Sequence, residues 1–206
     1  YEMQRSLVGS EMCIRDSKET DLVLVVTQSG LSTNAIEALK IIKKKQCRAI
    51  CLTGNKNSDV KDVADVVIEY GVGEELVGYV TKGVSSLALF LDLFAIAYSG
   101  KTEYLEELKK AVHLNEEMIG KATSFIQLHY KEFSSMSWVY SCGAGANYGT
   151  ALESALKMGE TIHIPSCCYE IEEYIHGPNL QLTPQYNVIF FDGNDVASHR
   201  VEQVYK

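Results

Sequence analysis

Three groups of residues could do chemistry. The first is residues 27–33, TQSGLST, which lie between an apolar run and a helical pattern. A glycine there lets the backbone turn tightly, and the free amides and positive end of the following helix favour an anion. Gln28, Ser29, Ser32 and Thr33 would add neutral donors. The loop holds no lysine, so it does not read as a nucleotide P-loop and suits a small phosphomonoester. Any strand-to-helix turn also uses a glycine and a hydroxyl cap, so the spacing by itself leaves both readings open. The second group is Lys157, Glu160 and His176. Lys157 and Glu160 are three apart and share one helix face, while His176 sits in a His-Gly-Pro turn that can aim an imidazole into a cleft. A carboxylate and a histidine beside a phosphate site are suited to moving a proton next to a carbonyl. A Lys and Glu at this spacing are equally the furniture of a solvated helix face. The third group, residues 143–149 (GAGANYG), spaces its glycines GxGxxxG and lacks the acidic residue expected about 20 positions later. A nicotinamide or flavin site is therefore not expected, and no cofactor is assigned.

The elements that would position these groups follow the α/β pattern. Residues 21–28 form a Val-rich apolar run, as in a strand covered on both faces. A helix is predicted from Ser32 or Thr33, with Ile36, Leu39, Ile41 and Ile42 on one stripe and Lys43–Lys45 at its C-terminal end. Residues 48–53 and 66–69 read as further strands, and Ser58 is placed to cap a short helix over 59–64. This order implies a parallel sheet with right-handed crossovers. A long apolar helix over 81–98 is expected to cover it, followed by a charged helical connector over 101–133. The α/β pattern restarts with a strand at 137–141 and a helix at 150–164. An irregular or short-helical stretch follows over 165–178, then a strand at 186–192 and a helix from Asn194. The expected organisation is two α/β domains, 18–100 and 134–206, both truncated. The strands starting at Asp21 and Tyr186 lie 165 positions apart, which predicts a parent of roughly 330 residues.

The first seventeen residues, YEMQRSLVGSEMCIRDS, have neither hydrophobic period nor an apolar targeting core. They resemble the translation of a transposon-end adapter used in sequencing libraries, and are expected to lie outside the fold.

Composition sets the outer limits. The 206 residues carry 19 Lys plus Arg against 27 Asp plus Glu, a net charge of −8. No basic face is expected for nucleic acid. The most apolar stretch, residues 84–98, is interrupted by Ser85, Ser86 and Asp92 and falls short of the roughly 20 apolar residues of a bilayer span, so no membrane partner is expected. Cys47, Cys51, Cys142, Cys167 and Cys168 form no CxxC pair, and the vicinal pair has no second pair to complete a zinc site. They read as reduced, buried cysteines of a cytoplasmic protein, and no metal is assigned.

Taken together, the motifs resemble the sugar isomerase (SIS) family of double-domain phosphosugar proteins. TQSGLST is similar to that family's SQSGET loop, with Thr27 for its first Ser and Ser32 for its Thr, and Ser58 matches a serine that assists from the next loop. Gly73-Glu74-Glu75 followed by Thr81-Lys82 is similar to its G-x-E and T-K pair. ALESALKMGE (151–160) resembles ALEGALKLKE, and EYIHGP (173–178) resembles ELKHGP. The resemblance implies two flavodoxin-like three-layer domains, with a sugar phosphate held by Thr27, Gln28, Ser29, Ser32 and Ser58. It implies Glu160 as the general acid/base between C1 and C2, Lys157 in a supporting role and His176 linked to ring opening. It also implies a homodimer in which His176 is supplied across the interface. Within the family the chain is most similar to the isomerase half of glutamine-fructose-6-phosphate aminotransferase and to fructoselysine- or glucoselysine-6-phosphate deglycases. The alternative is a phosphosugar sensor without catalysis, which would need the phosphate loop but neither Glu160 nor His176. Relative to the family, a first strand with its Ser/Thr loop before Lys18 and a C-terminal tail are missing.

Overall fold

A computed structural model describes residues 18, 20–79 and 81–206; the adapter-like segment lies outside them. The described chain divides between Lys110 and Ala111 into two compact units.

The first unit is built on a parallel sheet in the order β1 (Leu24–Thr27), β2 (Ile50–Thr53), β3 (Val66–Glu69). The register sets Thr27 opposite Thr53 at the C-terminal edge. Alternation along each strand sends successive side chains to opposite faces. On one face Cys51 joins Leu39 and Ile42 of α1 (Thr33–Lys44), all fully buried, together with Val60 from a 3₁₀ turn at Asp59–Asp62. On the other, Leu52 packs with Tyr70 and Val72 under Leu87 and Phe90 of α2 (Lys82–Ser99). The sheet is thus covered on both sides, as its continuous apolar runs require. β1 and β2 are shorter than the expected 21–28 and 48–53, and the turn after Ser58 is 3₁₀ rather than a helix to residue 64. By length and composition alone, α2 is apolar enough to cross a membrane, with mean hydropathy 1.3. This corrects the expectation that the stretch falls short, because 18 continuous helical residues hold only Lys82 and Asp92 as charges. Leu89, Leu91, Leu93 and Phe94 remain exposed on it.

The predicted connector is α3 (Tyr104–Leu128) and, after a break at His129, α4 (Tyr130–Ser134). The boundary between the two units falls inside α3.

The second unit has the parallel order β5 (Ser166–Glu170), β4 (Trp138–Gly143), β6 (Tyr186–Phe191). α5 (Ala146–Lys157) packs on β4 and β5, where buried Ser141 Oγ and Ser154 Oγ lie 3.0 Å apart. The opposite face is aromatic. Tyr140 meets Tyr169, Tyr174 and Tyr186, while Cys142, Ile171 and Val201 complete the core. Two short helices, α6 (Ile171–Ile175) and α7 (Ser198–Tyr205), bring in the last of these. β5 corrects the irregular part of the 165–178 reading, while α6 bears out its short-helical part. Its sequence, SCCYE, shows no aliphatic run, and pairing with β4 from Val139 to Gly143 makes it a strand. The helix from Asn194 instead begins at Ser198.

Each sheet holds a thiol at its centre. Burial pushes Cys51 up to about 11 and Cys142 up to about 12, and all five described cysteines are free.

Candidate functional site

In the first unit the strand-to-helix loop is fastened from below. The Gln28 carbonyl accepts the Gly54 N–H at 3.0 Å and the Thr53 hydroxyl at 3.2 Å. Gly30 turns the chain at φ +67°, and an added Cβ would lie 1.8 Å from Ser58 Oγ. Both the left-handed conformation and this close approach require glycine. Ser58 occupies the position before its 3₁₀ turn, as expected for a cap, but its hydroxyl donates to the Asn55 carbonyl at 2.6 Å and makes no capping bond. Ser29 Oγ accepts the Leu31 N–H at 3.2 Å.

Ser32 is the residue before α1; its carbonyl accepts the Ile36 N–H, yet its hydroxyl caps nothing and the first turn holds no acidic residue. Amide groups of that turn therefore lack a side-chain acceptor, the condition under which a helix start attracts an anion. An open cavity of about 670 Å³ lies beside the loop that precedes α1, lined by Gln28, Ser29, Leu31, Gly54, Asn55 and Glu75 among others but by no residue of α1. The structure brings Gln28 and Ser29 to this cavity. Thr27 and Ser58 are buried beside it, and Ser32 stands on the exposed loop outside its lining.

Glu75 is the residue that sequence reasoning left without a role. Its carboxylate accepts Gln28 Nε2 at 2.8 Å, the Thr81 and Lys82 N–H groups at 2.9 and 2.8 Å, and the Gly83 N–H at 3.0 Å. These donors, the Gln28 amide foremost, hold its pKa down at about 2. The folded pKa lies below the ordinary 4.5, so Glu75 stabilises the fold above pH 4.5 and this contribution fades as pH falls toward 2. Thermal melting of wild type and Glu75→Gln between pH 7 and 3 is expected to show a gap that is widest near neutrality and narrows below pH 4.5.

In the second unit the glycine-rich segment has a backbone explanation. A Cβ on Gly143 would lie 2.2 Å from the Asn147 carbonyl oxygen, and Gly145 adopts φ +56° at the start of α5. α5 ends sooner than the predicted residue 164. It passes at Met158–Ile162 into a π-turn that carries Glu160, and His163 closes it at φ +61°. Such turns recur at functional sites because the extra residue re-aims side chains. Lys157 Nζ donates to Glu160 Oε2 at 2.6 Å and also lies 3.6 Å from Glu153. The bond to Glu160 is the main cause that raises the Lys157 pKa. Glu160 lines a shallow cleft of about 590 Å³ with Gly159, Cys167 and Cys168.

His176 follows α6 at its C-terminal cap and is not among the residues lining that cleft. Its helix is fastened by Arg200 of α7, which grips both oxygens of Glu172 through Nε and Nη2. Glu172 is held below the usual carboxylate range mainly by that guanidinium, with His176 adding a smaller pull. Arg200 escaped the sequence reading because its partner lies 28 positions away. The structure thus joins Lys157 to Glu160. Among the described residues no group of three or more His, Cys, Asp or Glu side chains is arranged to hold a metal ion.

Comparison with known proteins bears on the fold. Residues 10–97 match the SIS domain model, a match that starts within the adapter-like segment. The chain is 32% identical over 181 residues to glutamine-fructose-6-phosphate aminotransferase (isomerizing) of Clostridium perfringens, covering 83% of this chain and 30% of that protein. The enzyme of the same name from Thermotoga maritima is 28% identical, with 78% and 28% covered. Among solved structures, a candidate phosphosugar isomerase of Clostridium difficile superposes with TM-score 0.82 at 27% identity, covering 94% of this chain and 58% of that one. The C-terminal domain of the Francisella tularensis aminotransferase also gives TM-score 0.82, at 21% identity, covering 95% of this chain and 59% of that one, and shows the shared fold. The chain spans less than a third of the length of these curated relatives.

Proposed function

We propose that this chain, which carries a SIS domain and is similar to the isomerase part of glutamine-fructose-6-phosphate aminotransferases, binds a sugar phosphate and moves a proton between C1 and C2 of an amino-sugar or Amadori-type substrate. The observation that carries the reading is the cavity lined by Gln28, Ser29 and Leu31 of the loop that leads into the uncapped start of α1. A phosphate there would be met by amides and hydroxyls, with no basic side chain needed. Glu75 on the same cavity does not oppose this strongly, because four donors already answer its charge.

Chemistry is assigned to Glu160. The carbonyl or imine of an open-chain substrate acidifies the neighbouring C–H, so a carboxylate can take the proton from one carbon and return it to the next. Lys157 holds Oε2 of Glu160 and so fixes the carboxylate on its turn. His176 assists ring opening, supplied across the interface of a homodimer, in a cytoplasmic setting. The aminotransferase relatives favour an isomerase-type reaction, and a deglycase acting on a glycated amine uses the same proton transfer.

The test is the double variant Ser29→Ala/Ser32→Ala, titrated with fructose 6-phosphate. Each hydroxyl hydrogen bond to a charged group is worth roughly 1.5–3 kcal/mol, so losing both is expected to weaken binding about 100-fold or more. Unchanged affinity assigns the loop another task.

A further inference from the structure

We propose that Glu75 is a positioning residue for the phosphate loop, acting through Gln28 to lock that loop to the first turn of α2. The inference rests on the sugar-phosphate reading above and extends it to a residue outside the loop. Gln28 and Glu75 lie 47 positions apart and both line the cavity. A carboxylate only accepts hydrogen bonds, so Gln28 must turn its NH₂ toward Glu75. Its Oε1 is then left buried with no hydrogen-bond partner in the protein, a cost the loop tolerates only while the amide is held in this orientation. Glu75 is itself held by backbone donors on both oxygens. The Thr81 and Lys82 amides hold Oε1, the Gly83 amide holds Oε2 beside Gln28, and Lys82 Nζ donates to the Glu74 carbonyl at 2.7 Å from the other side. The chain runs from α2 through one carboxylate to one amide at the phosphate cavity.

The proposal makes a prediction of sign. If Glu75 mattered to a phosphate only as a nearby negative charge, neutralising it would tighten binding. A positioning role requires the opposite. Inorganic phosphate and fructose 6-phosphate are titrated into the full 206-residue chain as wild type, Glu75→Gln, Gln28→Met and the double variant, with thermal melting in parallel. Each single change is expected to weaken binding about tenfold, and the double variant to bind no more weakly than the poorer single, since the two residues act on one path. Tighter or unchanged binding by Glu75→Gln overturns the proposal, as do losses that multiply in the double variant. A lower melting temperature with unchanged affinity also overturns it, and makes Glu75 a cap of α2 alone. Should Glu75→Gln not fold, Glu75→Asp keeps the charge but falls one methylene short of Gln28, and is read in the same cycle against the same outcomes. Wild type that binds neither probe overturns the sugar-phosphate reading itself, a result distinct from wild type that binds without coupling.

Discussion

Glu160→Gln is expected to lower turnover of fructose 6-phosphate or fructoselysine 6-phosphate by about 10²- to 10⁴-fold, the range that loss of a general base commands. The substitution is chosen for what it leaves intact. A glutamine carbonyl oxygen can still accept the Lys157 ammonium that now donates to Glu160 at 2.6 Å, so the π-turn at Met158–Ile162 keeps its tie to α5. What is lost is the ability to carry a proton. Substrate affinity, assigned to the first unit, is expected to stay within about threefold of wild type, so the defect falls on kcat and not on KM. Exchange of the C1 or C2 hydrogen with solvent deuterium, followed by proton NMR, separates the proton step from everything after it. Exchange at the wild-type rate removes Glu160 from the role of base. If neither wild type nor variant shows exchange while both bind the sugar phosphate, the chain is the non-catalytic sensor.

The second large effect is structural. Gly30→Ala places a methyl carbon 1.8 Å from Ser58 Oγ and 2.7 Å from Ser58 Cβ, at a residue whose φ is +67°. Neither neighbour yields cheaply, because the Ser58 hydroxyl is committed to the Asn55 carbonyl and the residue is buried. Overpacking together with a left-handed alanine is expected to cost about 2–4 kcal/mol, read as a lower midpoint in urea denaturation. The companion Gly30→Ala/Ser58→Ala removes the closer clash and keeps the backbone strain, so it should recover part of the loss. A single alanine variant as stable as wild type would mean that the loop is held less tightly than these distances require.

The elements that sequence could reveal were those whose reason for existing is local. β1, β2 and β3 announce themselves as short apolar runs, and α1 by its Ile36, Leu39 and Ile42 stripe. The break between TQSG and LST is readable because a glycine and hydroxyls have few other reasons to occur together there. β5 was not readable: Cys167, Cys168 and Tyr169 become a strand through pairing with β4, and that information is nonlocal. The Lys157–Glu160 pair followed from spacing, whereas the π-turn that carries Glu160 did not, since an extra residue in a helical turn leaves no mark on hydrophobic period. Arg200 is the clearest case, and Glu75, though its G-x-E motif is visible in the sequence, shows there no sign of its bond to Gln28. Each completes a functional segment from 47 or 28 positions away, a distance over which no periodicity or cap signal reaches. The direction of the Ser58 hydroxyl belongs with them, because a capping residue and a turn-closing residue look alike in sequence.

The two central thiols have a consequence for the protein's history. Only the thiolate reacts readily with oxidants and alkylating agents. With Cys51 pushed up to about 11 and Cys142 up to about 12, roughly one molecule in ten thousand or fewer carries either thiolate at pH 7 while folded. Both side chains are also fully buried. Covalent marking at either position therefore records an opening of the unit that contains it, and the mark is permanent. Because Cys51 belongs to the first unit and Cys142 to the second, the chain keeps two separate ledgers of its own breathing, one for the half that would grip a phosphate and one for the half that would move a proton.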